Sequence, residues 1–304
     1  MILDIKNHIY FGTYKLTDET ILLNSLENAY KYGYTKIDTA LLYKNQHIIG
    51  QFLNTPSLPS PLITPISPLI TPTSSLPNIP SELETTVKIT DDFKNYLNKR
   101  DKFWITSKVS FRIMPKGESE IRKSIDKTLI DLQTHYIDLM IIHSPERNDI
   151  MTWNILCEYK EKGLIRNIGL SNYNLEKLKT FIKQIDNPED IYCNQIEFNP
   201  FLNRKELIDY CKSLNIKVIT YGNLYYTNYI IDSIADKMNK TKEQICARFA
   251  LQKGLDIILM ADEEKYIKMN MELDFVINEE DMNDIEEIRE MGIDASKSKF
   301  KRFL

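Results

Sequence analysis

The chain alternates between short apolar runs and longer amphipathic runs over most of its length. Eight apolar runs have the length of a β-strand: HIYFGTY (8–14), TKIDTA (35–40), FWITSKV (103–109), YIDLMIIHS (136–144), IRNIGLS (165–171), IYCNQIEFN (191–199), KVITYG (217–222) and LDIILM (255–260). Each run is followed, directly or after a loop, by polar sequence that can form a helix. Apolar residues at i, i+3 and i+4 mark the clearest of these as amphipathic helices.

This alternation predicts an α/β fold built on parallel strands. A run such as IDLMII (137–142) is nearly continuously apolar, which is typical of a strand covered on both faces. Eight repeats of strand and helix favour a closed (β/α)8 barrel, the TIM barrel, over the doubly wound open sheet that the same alternation permits. A barrel of this kind can occupy all 304 residues as one domain, 1–304.

Residues 54–100 interrupt the alternation after the second strand and helix. They hold most of the 12 prolines and a tandem heptapeptide, SPLITPI (60–66) followed by SPLITPT (67–73). Closely spaced prolines remove backbone donors and block helix formation, so we expect an extended, poorly ordered, low-complexity insertion. A tolerated surface loop is the simpler interpretation, because lengthening a loop costs little. A docking motif for a proline-reading domain is the alternative.

Composition excludes several classes of partner. With 39 basic and 43 acidic residues the formal net charge is -4, which leaves no positive excess to hold nucleic acid. The four cysteines lie singly, without the spacing of a metal site, so we expect no metal. No signal peptide and no apolar run of about 18 residues is apparent, which predicts a cytoplasmic protein without a membrane partner. Nothing indicates an obligate oligomer, and we expect a monomer.

Four polar side chains stand at or just beyond the ends of predicted strands. Asp38 closes the second run and Tyr43 follows five residues later, while Lys108 and His143 close the third and fourth runs. The functional groups of a barrel come from the C-terminal ends of its strands, so these four are expected to converge at one mouth. Each alone is more simply a structural group. Together they indicate chemistry.

Several stretches, in this order, resemble the aldo-keto reductase family. They are FGTY (11–14), DTALLYKNQHIIGQFL (38–53), SIDKTLIDLQTHYIDLMIIHSP (124–145), GLIRNIGLSNYN (163–174), NQIEFNPF (194–201) and NEEDMNDIEEI (278–288). The resemblance implies a (β/α)8 barrel that transfers a hydride from NADPH or NADH to a small aldehyde or ketone. It also implies that Asp38, Tyr43, Lys108 and His143 form the catalytic set.

The resemblance assigns a role to each of the four. Tyr43 is the general acid, and the Lys108 ammonium is expected to lower its pKa by favouring the phenolate. Asp38 is expected to pair with Lys108 and keep it charged. His143 is expected to donate a hydrogen bond to the carbonyl oxygen and polarise it.

A nicotinamide site is implied as well. In the family pattern Ser171, Asn172 and Gln195 bind the carboxamide and Tyr221 stacks on the ring, with Thr13 as a further cofactor contact. Structural alternatives stay open at this point. Ser171 and Asn172 can instead cap the helix that begins near Asn174, and Tyr221 can belong to the core.

The adenine end of the cofactor site departs from the family pattern. Gly222 and Asn223 replace a Ser-Pro pair after the seventh strand. After the eighth strand, the positions of a family Lys, Ser, Ser and Arg hold Met260, Ala261, Asp262 and Tyr266. Only Asn270, which would reach the adenine, matches. Hydrogen bonds to a charged group are worth roughly 1.5 to 3 kcal/mol each, so losing the Lys and the Arg weakens a 2′-phosphate site severely.

Three accounts of this departure are open. The site prefers NADH, with Asp262 accepting a hydrogen bond from the ribose 2′-hydroxyl; it binds NADPH by another route; or it has lost cofactor binding. The first two keep the chain an NAD(P)H-dependent reductase of a small carbonyl compound. The third makes it a non-catalytic binding or scaffold protein on the same barrel.

Overall fold

The eight predicted strands form a closed parallel barrel in a computed structural model, which describes residues 5–55, 99–222 and 228–288. The strands are β1 (Ile9–Gly12), β2 (Lys36–Asp38), β3 (Trp104–Val109), β4 (Ile137–Ile142), β5 (Ile165–Ser171), β6 (Ile191–Glu197), β7 (Lys217–Tyr221) and β8 (Asp256–Leu259). They follow one another around the barrel in chain order, and β8 pairs with β1. The closed order confirms the (β/α)8 prediction and excludes the open sheet.

Helices surround the barrel. They are α1 (Glu19–Lys31), α2 (Gln46–Asn54), α3 (Glu118–Asp131), α4 (Asp149–Glu161), α5 (Leu175–Ile182), α6 (Lys205–Ser213), α7 (Tyr229–Met238), α8 (Lys242–Gln252), α9 (Glu264–Met269) and α10 (Glu279–Glu287). Short 3-10 turns occur at Ile5–His8, Leu41–Tyr43, Lys99–Lys102, Met114–Lys116 and Pro188–Asp190. Helix starts follow local capping chemistry: Asp18 caps α1, and Thr241 with Gln244 forms a capping box at α8.

The strands are buried on both faces. Every residue of β4 is buried, as its continuous apolar run predicts. The main core lies between strands and helices, and a smaller cluster inside the barrel contains Tyr10, Leu139, Ile141, Cys193 and Ile219. The barrel is therefore a packed core and not a pore, and its open end is left to the loops.

Part of the chain lies outside the described residues. The insertion predicted over 54–100 falls there except for its two ends, where α2 ends at Asn54 and a 3-10 turn begins at Lys99. Asn223, one of the departures from the family pattern, also falls outside. Within the described part of the chain, no helix has the length and apolar character needed to cross a membrane.

Candidate active site

The parallel barrel brings three of the four predicted catalytic residues to one mouth. Asp38 is the last residue of β2, Lys108 is the penultimate residue of β3, and His143 directly follows β4. These strands are neighbours, so their carboxyl ends lie side by side. Tyr43 joins them from the 3-10 turn that follows β2. All four predicted residues therefore occur in one place.

Asp38 and Lys108 form a buried ion pair. The Lys108 ammonium donates to Asp38 Oδ1 at 2.5 Å and to the Thr39 carbonyl at 2.9 Å. The second Asp38 oxygen accepts from Gln195 Nε2 at 2.8 Å. Burial lowers the pKa of Lys108, and the charge of Asp38 opposes that shift. A buried pair that is also hydrogen-bonded on both sides is the arrangement in which the two charges persist.

Tyr43 lies between this pair and His143. Its ring centroid is 5.1 Å from the Lys108 ammonium and 6.0 Å from the centre of the His143 imidazole. The residue is half-buried. This burial raises the pKa of Tyr43 well above its usual value, and the negative charge of Asp38 raises it further.

The expected lowering of the Tyr43 pKa by Lys108 is therefore wrong for the protein without ligands. The Lys108 ammonium is neutralised by Asp38, so the phenolate would form beside a carboxylate in a desolvated site. Tyr43 is consequently a phenol that holds its proton firmly. The role of proton donor stays a prediction, and only the argument from a lowered pKa is removed.

His143 is neutral. Burial, followed by the nearby Lys108 charge, lowers its pKa to about 3. Its Nδ1 atom is buried and has no hydrogen-bond partner within the described residues. A proton on Nδ1 would bury an unsatisfied N–H donor, which costs more than leaving a lone pair unused, so we assign the proton to Nε2. The imidazole is then a neutral hydrogen-bond donor.

The four predicted nicotinamide contacts form one hydrogen-bonded group beside the catalytic set. Asn172 Nδ2 donates to the Ser171 hydroxyl and to the His143 carbonyl, at 3.0 Å each. Tyr221 donates to Asn172 Oδ1 at 2.6 Å. Gln195 connects this group to Asp38. The structure thus brings together all of the residues predicted for the carboxamide and the ring.

The structural alternatives for this group do not hold. Helix α5 is capped by Asn174, whose side chain accepts from the Lys177 amide, so Ser171 and Asn172 are not its cap. Tyr221 is half-buried and reaches Asn172 with its hydroxyl, which differs from a core side chain. The amide donors and acceptors together with a partly open aromatic ring fit a nicotinamide by type.

Thr13 contacts the backbone carbonyl of Asp38 and not its carboxylate. Its hydroxyl and its amide both donate to the Asp38 carbonyl, at 3.1 Å each. The carbonyl of Thr13 accepts from Asn45 Nδ2 at 2.8 Å. Thr13 therefore fixes the ends of β1 and β2, and its hydroxyl proton is already used.

The region predicted for the adenine end lacks a free cation in the part that the structure describes. Three lysines there are paired with acidic neighbours: Lys31 with Glu264 at 2.6 Å, Lys265 with Glu263 at 3.0 Å, and Lys268 with Glu272 at 3.6 Å. Asp262 and Tyr266 are exposed. Asn270 is half-buried, and its side chain hydrogen-bonds the Tyr34 hydroxyl.

The local backbone conformation explains why glycine occupies position 222. Its φ of +77° lies in the left-handed region, and an added Cβ would approach the Glu197 side chain to 3.0 Å. Glycine adopts this conformation without the strain that serine would suffer. The turn that follows β7 therefore favours glycine at position 222, where the family pattern has serine.

Two rings at the mouth were missed by the sequence reasoning. Tyr14 lies 5.1 Å from Tyr43, and Phe111 lies 6.0 Å from His143, both measured between ring centres. The available signal was position, since each ring lies in the loop immediately after a strand that supplies a site residue. The prediction considered the polar residues at the strand ends and did not consider the aromatic residues in the loops beyond them.

The chain is similar in sequence to known oxidoreductases. The aldo/keto reductase family model matches residues 89–227. An uncharacterized oxidoreductase of Schizosaccharomyces pombe is 34% identical over 190 residues, covering 60% of this chain and 67% of that protein. Glyoxal reductase of Bacillus subtilis is 28% identical over 281 residues, covering 90% of this chain and 86% of its own length.

Solved structures give the same fold. An aldo-keto reductase from a deep-sea metagenome library matches with a TM-score of 0.73 and 24% identity, covering 92% of this chain and 90% of its own. An aldo/keto reductase of Brucella melitensis matches with a TM-score of 0.71 over 92% and 93% of the two chains, again at 24% identity. At this identity the likeness concerns the barrel alone.

Proposed function

The chain belongs to the aldo-keto reductase family of NAD(P)H-dependent oxidoreductases, and we propose that it reduces a small aldehyde or ketone with Tyr43 as the proton donor. The observation that carries this proposal is the convergence of Asp38, Lys108 and His143 around Tyr43 at one mouth of the barrel. The hydrogen-bonded group around Asn172 lies beside them. The bound nicotinamide supplies the hydride.

The proposed roles follow from the protonation states. His143, neutral with its proton on Nε2, donates a hydrogen bond to the substrate carbonyl oxygen and stabilises the charge that develops there. Tyr43 holds its proton at neutral pH, since an ordinary phenol has a pKa of about 10 and burial raises the pKa of Tyr43 above that. An alkoxide is a much stronger base than a phenolate, so the proton moves from Tyr43 when the carbonyl oxygen becomes an alkoxide.

Lys108 acts in this proposal after the proton has moved. Its ammonium lies 5.1 Å from the centre of the Tyr43 ring and offsets part of the cost of forming a phenolate beside Asp38, although it does not bring the Tyr43 pKa below its usual value. Asp38 holds Lys108 in place, and Gln195 holds Asp38.

Turnover of the Tyr43→Phe variant tests the proposal. Purified full-length protein is assayed with NADH and with NADPH against a panel of small aldehydes and ketones. Tyr43→Phe is expected to lower kcat by about 10²- to 10⁴-fold, the usual contribution of a general acid, with cofactor affinity retained. The control is Tyr30→Phe, which removes the hydroxyl of another half-buried tyrosine whose partner is Lys102. A wild-type chain that binds a cofactor yet reduces no carbonyl would favour the scaffold alternative.

We further propose that the cofactor is NADH. The paired lysines around α9 leave no cation for a 2′-phosphate within the described residues, and the exposed Asp262 adds repulsion. The same carboxylate can accept a hydrogen bond from the free 2′-hydroxyl of NADH, as acidic residues do in other dinucleotide sites. NADH is therefore favoured on both counts.

Equilibrium titration with the two reduced cofactors tests this preference. Wild-type protein is expected to bind NADH more tightly than NADPH. Asp262→Asn should weaken NADH binding by about 10- to 100-fold, the value of a hydrogen bond to a charged group, and should bind NADPH better than wild type. Glu280→Gln removes an exposed carboxylate from α10 and is the control. Tighter binding of NADPH than NADH by wild-type protein contradicts the preference.

A further inference from the structure

The mouth of the barrel contains a continuous arc of rings. Tyr14, Tyr43, His143 and Phe111 follow one another with centre-to-centre distances of 5.1, 6.0 and 6.0 Å. The two inner members are Tyr43 and His143, which carry the proposed chemistry, and the two outer members come from the loops after β1 and β3. A planar or apolar substrate body can lie against an outer ring while its carbonyl oxygen meets the inner two.

A cation lies at each end of this arc. Lys15 Nζ is 5.5 Å from the centre of the Tyr14 ring, and the Arg112 guanidinium carbon is 5.7 Å from the centre of the Phe111 ring. Both side chains are exposed, and within the described residues neither has a carboxylate at ion-pair distance. Elsewhere cations commonly pair with nearby acids, as Lys127 does with Asp131 at 2.8 Å.

Two of the negative charges near the mouth are already engaged. Asp38 is buried and paired with Lys108. Asp149, the first residue of α4, accepts from the Tyr173 hydroxyl at 3.0 Å. An anion that enters the mouth therefore meets two unpaired cations on the aromatic rim and no free carboxylate in the catalytic set.

We propose that the substrate carries an anionic group, a carboxylate, which Arg112 binds while the carbonyl oxygen lies between Tyr43 and His143. This inference rests on the proposed reductase function and specifies its substrate class. Arginine is preferred to Lys15 because its planar guanidinium binds a carboxylate through two parallel hydrogen bonds. The contact with Phe111 also restrains the guanidinium in advance.

The geometry restricts the substrate further. Phe111 contacts both Arg112 and His143. The centre of its ring is 5.7 Å from the Arg112 guanidinium carbon and 6.0 Å from the centre of the His143 ring. These successive contacts favour a substrate whose carboxylate is not attached directly to the carbonyl carbon. The preferred substrate therefore places its carboxylate several bonds from the carbonyl, with an apolar or planar spacer that lies along Phe111.

The test compares 4-formylbenzoate with its uncharged methyl ester, with glyoxylate as the compound whose two groups are adjacent. Wild-type protein is expected to have the higher kcat/KM for 4-formylbenzoate. Arg112→Gln should lower kcat/KM for the anion by about 10- to 100-fold, mostly through KM, and leave the ester unchanged. Arg112→Lys should fall between the two, because it keeps the charge and loses the paired hydrogen bonds.

Two further variants test whether the preference for the anion depends on Arg112, on Lys15 at the other end of the arc, or on the net charge of the protein. Lys183→Met removes an exposed lysine beyond the end of α5 and should not alter the ratio of anion to ester. Lys15→Met should alter it less than Arg112→Gln. A larger effect at Lys15, or an equal loss of anion and ester in Arg112→Gln, overturns the assignment to Arg112.

Failure of this inference is distinguishable from failure of the proposed function. If wild-type protein reduces the ester and neutral aldehydes but shows no preference for 4-formylbenzoate, the anion site is wrong and the reductase function stands. If nothing is reduced, binding of terephthalate measured by calorimetry gives a readout that needs no turnover. Affinity that Arg112→Gln does not weaken then refutes the anion site as well.

Discussion

At the scale of single residues, the buried pair of Asp38 and Lys108 decides the character of the site. Two full charges lie buried at the carboxyl ends of β2 and β3, and each depends on the other. Removing one partner leaves the other charge buried without compensation, whereas removing both leaves a neutral core. The pair can therefore be recognised by a strongly non-additive response to mutation.

We expect Asp38→Asn and Lys108→Met each to destabilise the fold by about 3 to 5 kcal/mol. The double variant should be destabilised by much less than the sum, and urea unfolding of all four proteins gives the coupling. The exposed pair Lys127 and Asp131 serves as the control, with a coupling near or below about 0.5 kcal/mol. Additive losses at the buried pair would mean that the two charges do not depend on each other.

His143 gives the fold a dependence on pH. Its pKa is lowered to about 3, so between that value and the unfolded value of about 6.5 the unfolded chain binds a proton that the folded chain does not. The free energy of unfolding must then fall as pH drops below about 6.5. The slope from this group is at most about 1.4 kcal/mol per pH unit, and partial solvent access to the ring reduces it.

Unfolding in urea between pH 7 and pH 4.5 measures this slope. His143→Gln cannot titrate and should flatten it, while His47→Gln, at an exposed position of α2, should leave it unchanged. An identical slope in wild type and His143→Gln would show that the imidazole is not held neutral by the fold.

At the scale of elements, the helix α2 is packed against the end of α3 at a glycine. A Cβ on Gly50 would lie 2.3 Å from the Asp131 carbonyl oxygen and 2.9 Å from the Leu132 carbonyl carbon. Both are backbone atoms, so neither can turn aside. The close approach places α2, and hence the turn that carries Tyr43 just before it, at a fixed distance from the barrel.

Gly50→Ala is therefore expected to destabilise the protein by about 1 to 3 kcal/mol, although the same change in an unhindered helix stabilises by up to about 1 kcal/mol. Gln51→Ala, at the exposed neighbouring position, should be neutral or slightly stabilising. Thermal unfolding distinguishes the two. A stabilised Gly50→Ala would show that α2 can move away from α3.

The elements were largely predictable and the contacts between them were not. Strands buried on both faces are read from the sequence as apolar runs, which is why β1 to β8 were found in order. The bond from Gln195 to Asp38 joins residues 157 positions apart, and no local pattern indicates it. The direction of the Tyr43 pKa was missed for the same reason, since it depends on desolvation and on how Asp38 neutralises Lys108.

At the scale of the whole molecule, the residues predicted to contact the cofactor are spread around the barrel, from Thr13 after β1 to Asn270 after β8. A ligand that contacts so many elements stabilises the fold as a unit, because it binds the folded chain and not the unfolded one. At a concentration 100 times its Kd the gain is about 2.7 kcal/mol.

The melting temperature should therefore rise more with NADH than with an equal concentration of NADPH. Differential scanning calorimetry without substrate measures this without relying on turnover. Asp262→Asn should reduce the difference between the two cofactors, and Glu280→Gln should preserve it. Equal shifts with both cofactors in wild type would contradict the proposed preference.

Gln195 connects Asp38 to the group of residues around Asn172. Its amide nitrogen holds Asp38, and it lies in the group proposed to bind the nicotinamide. A ligand that hydrogen-bonds this amide changes the hydrogen bond from Gln195 to Asp38. Because coupling between two sites is reciprocal, a change at Asp38 alters the affinity for that ligand by the same factor. The two halves of the site are thus joined through one shared donor. If the nicotinamide binds as proposed, cofactor affinity is expected to depend on the charge of the Asp38–Lys108 pair, even in a protein that is not turning over.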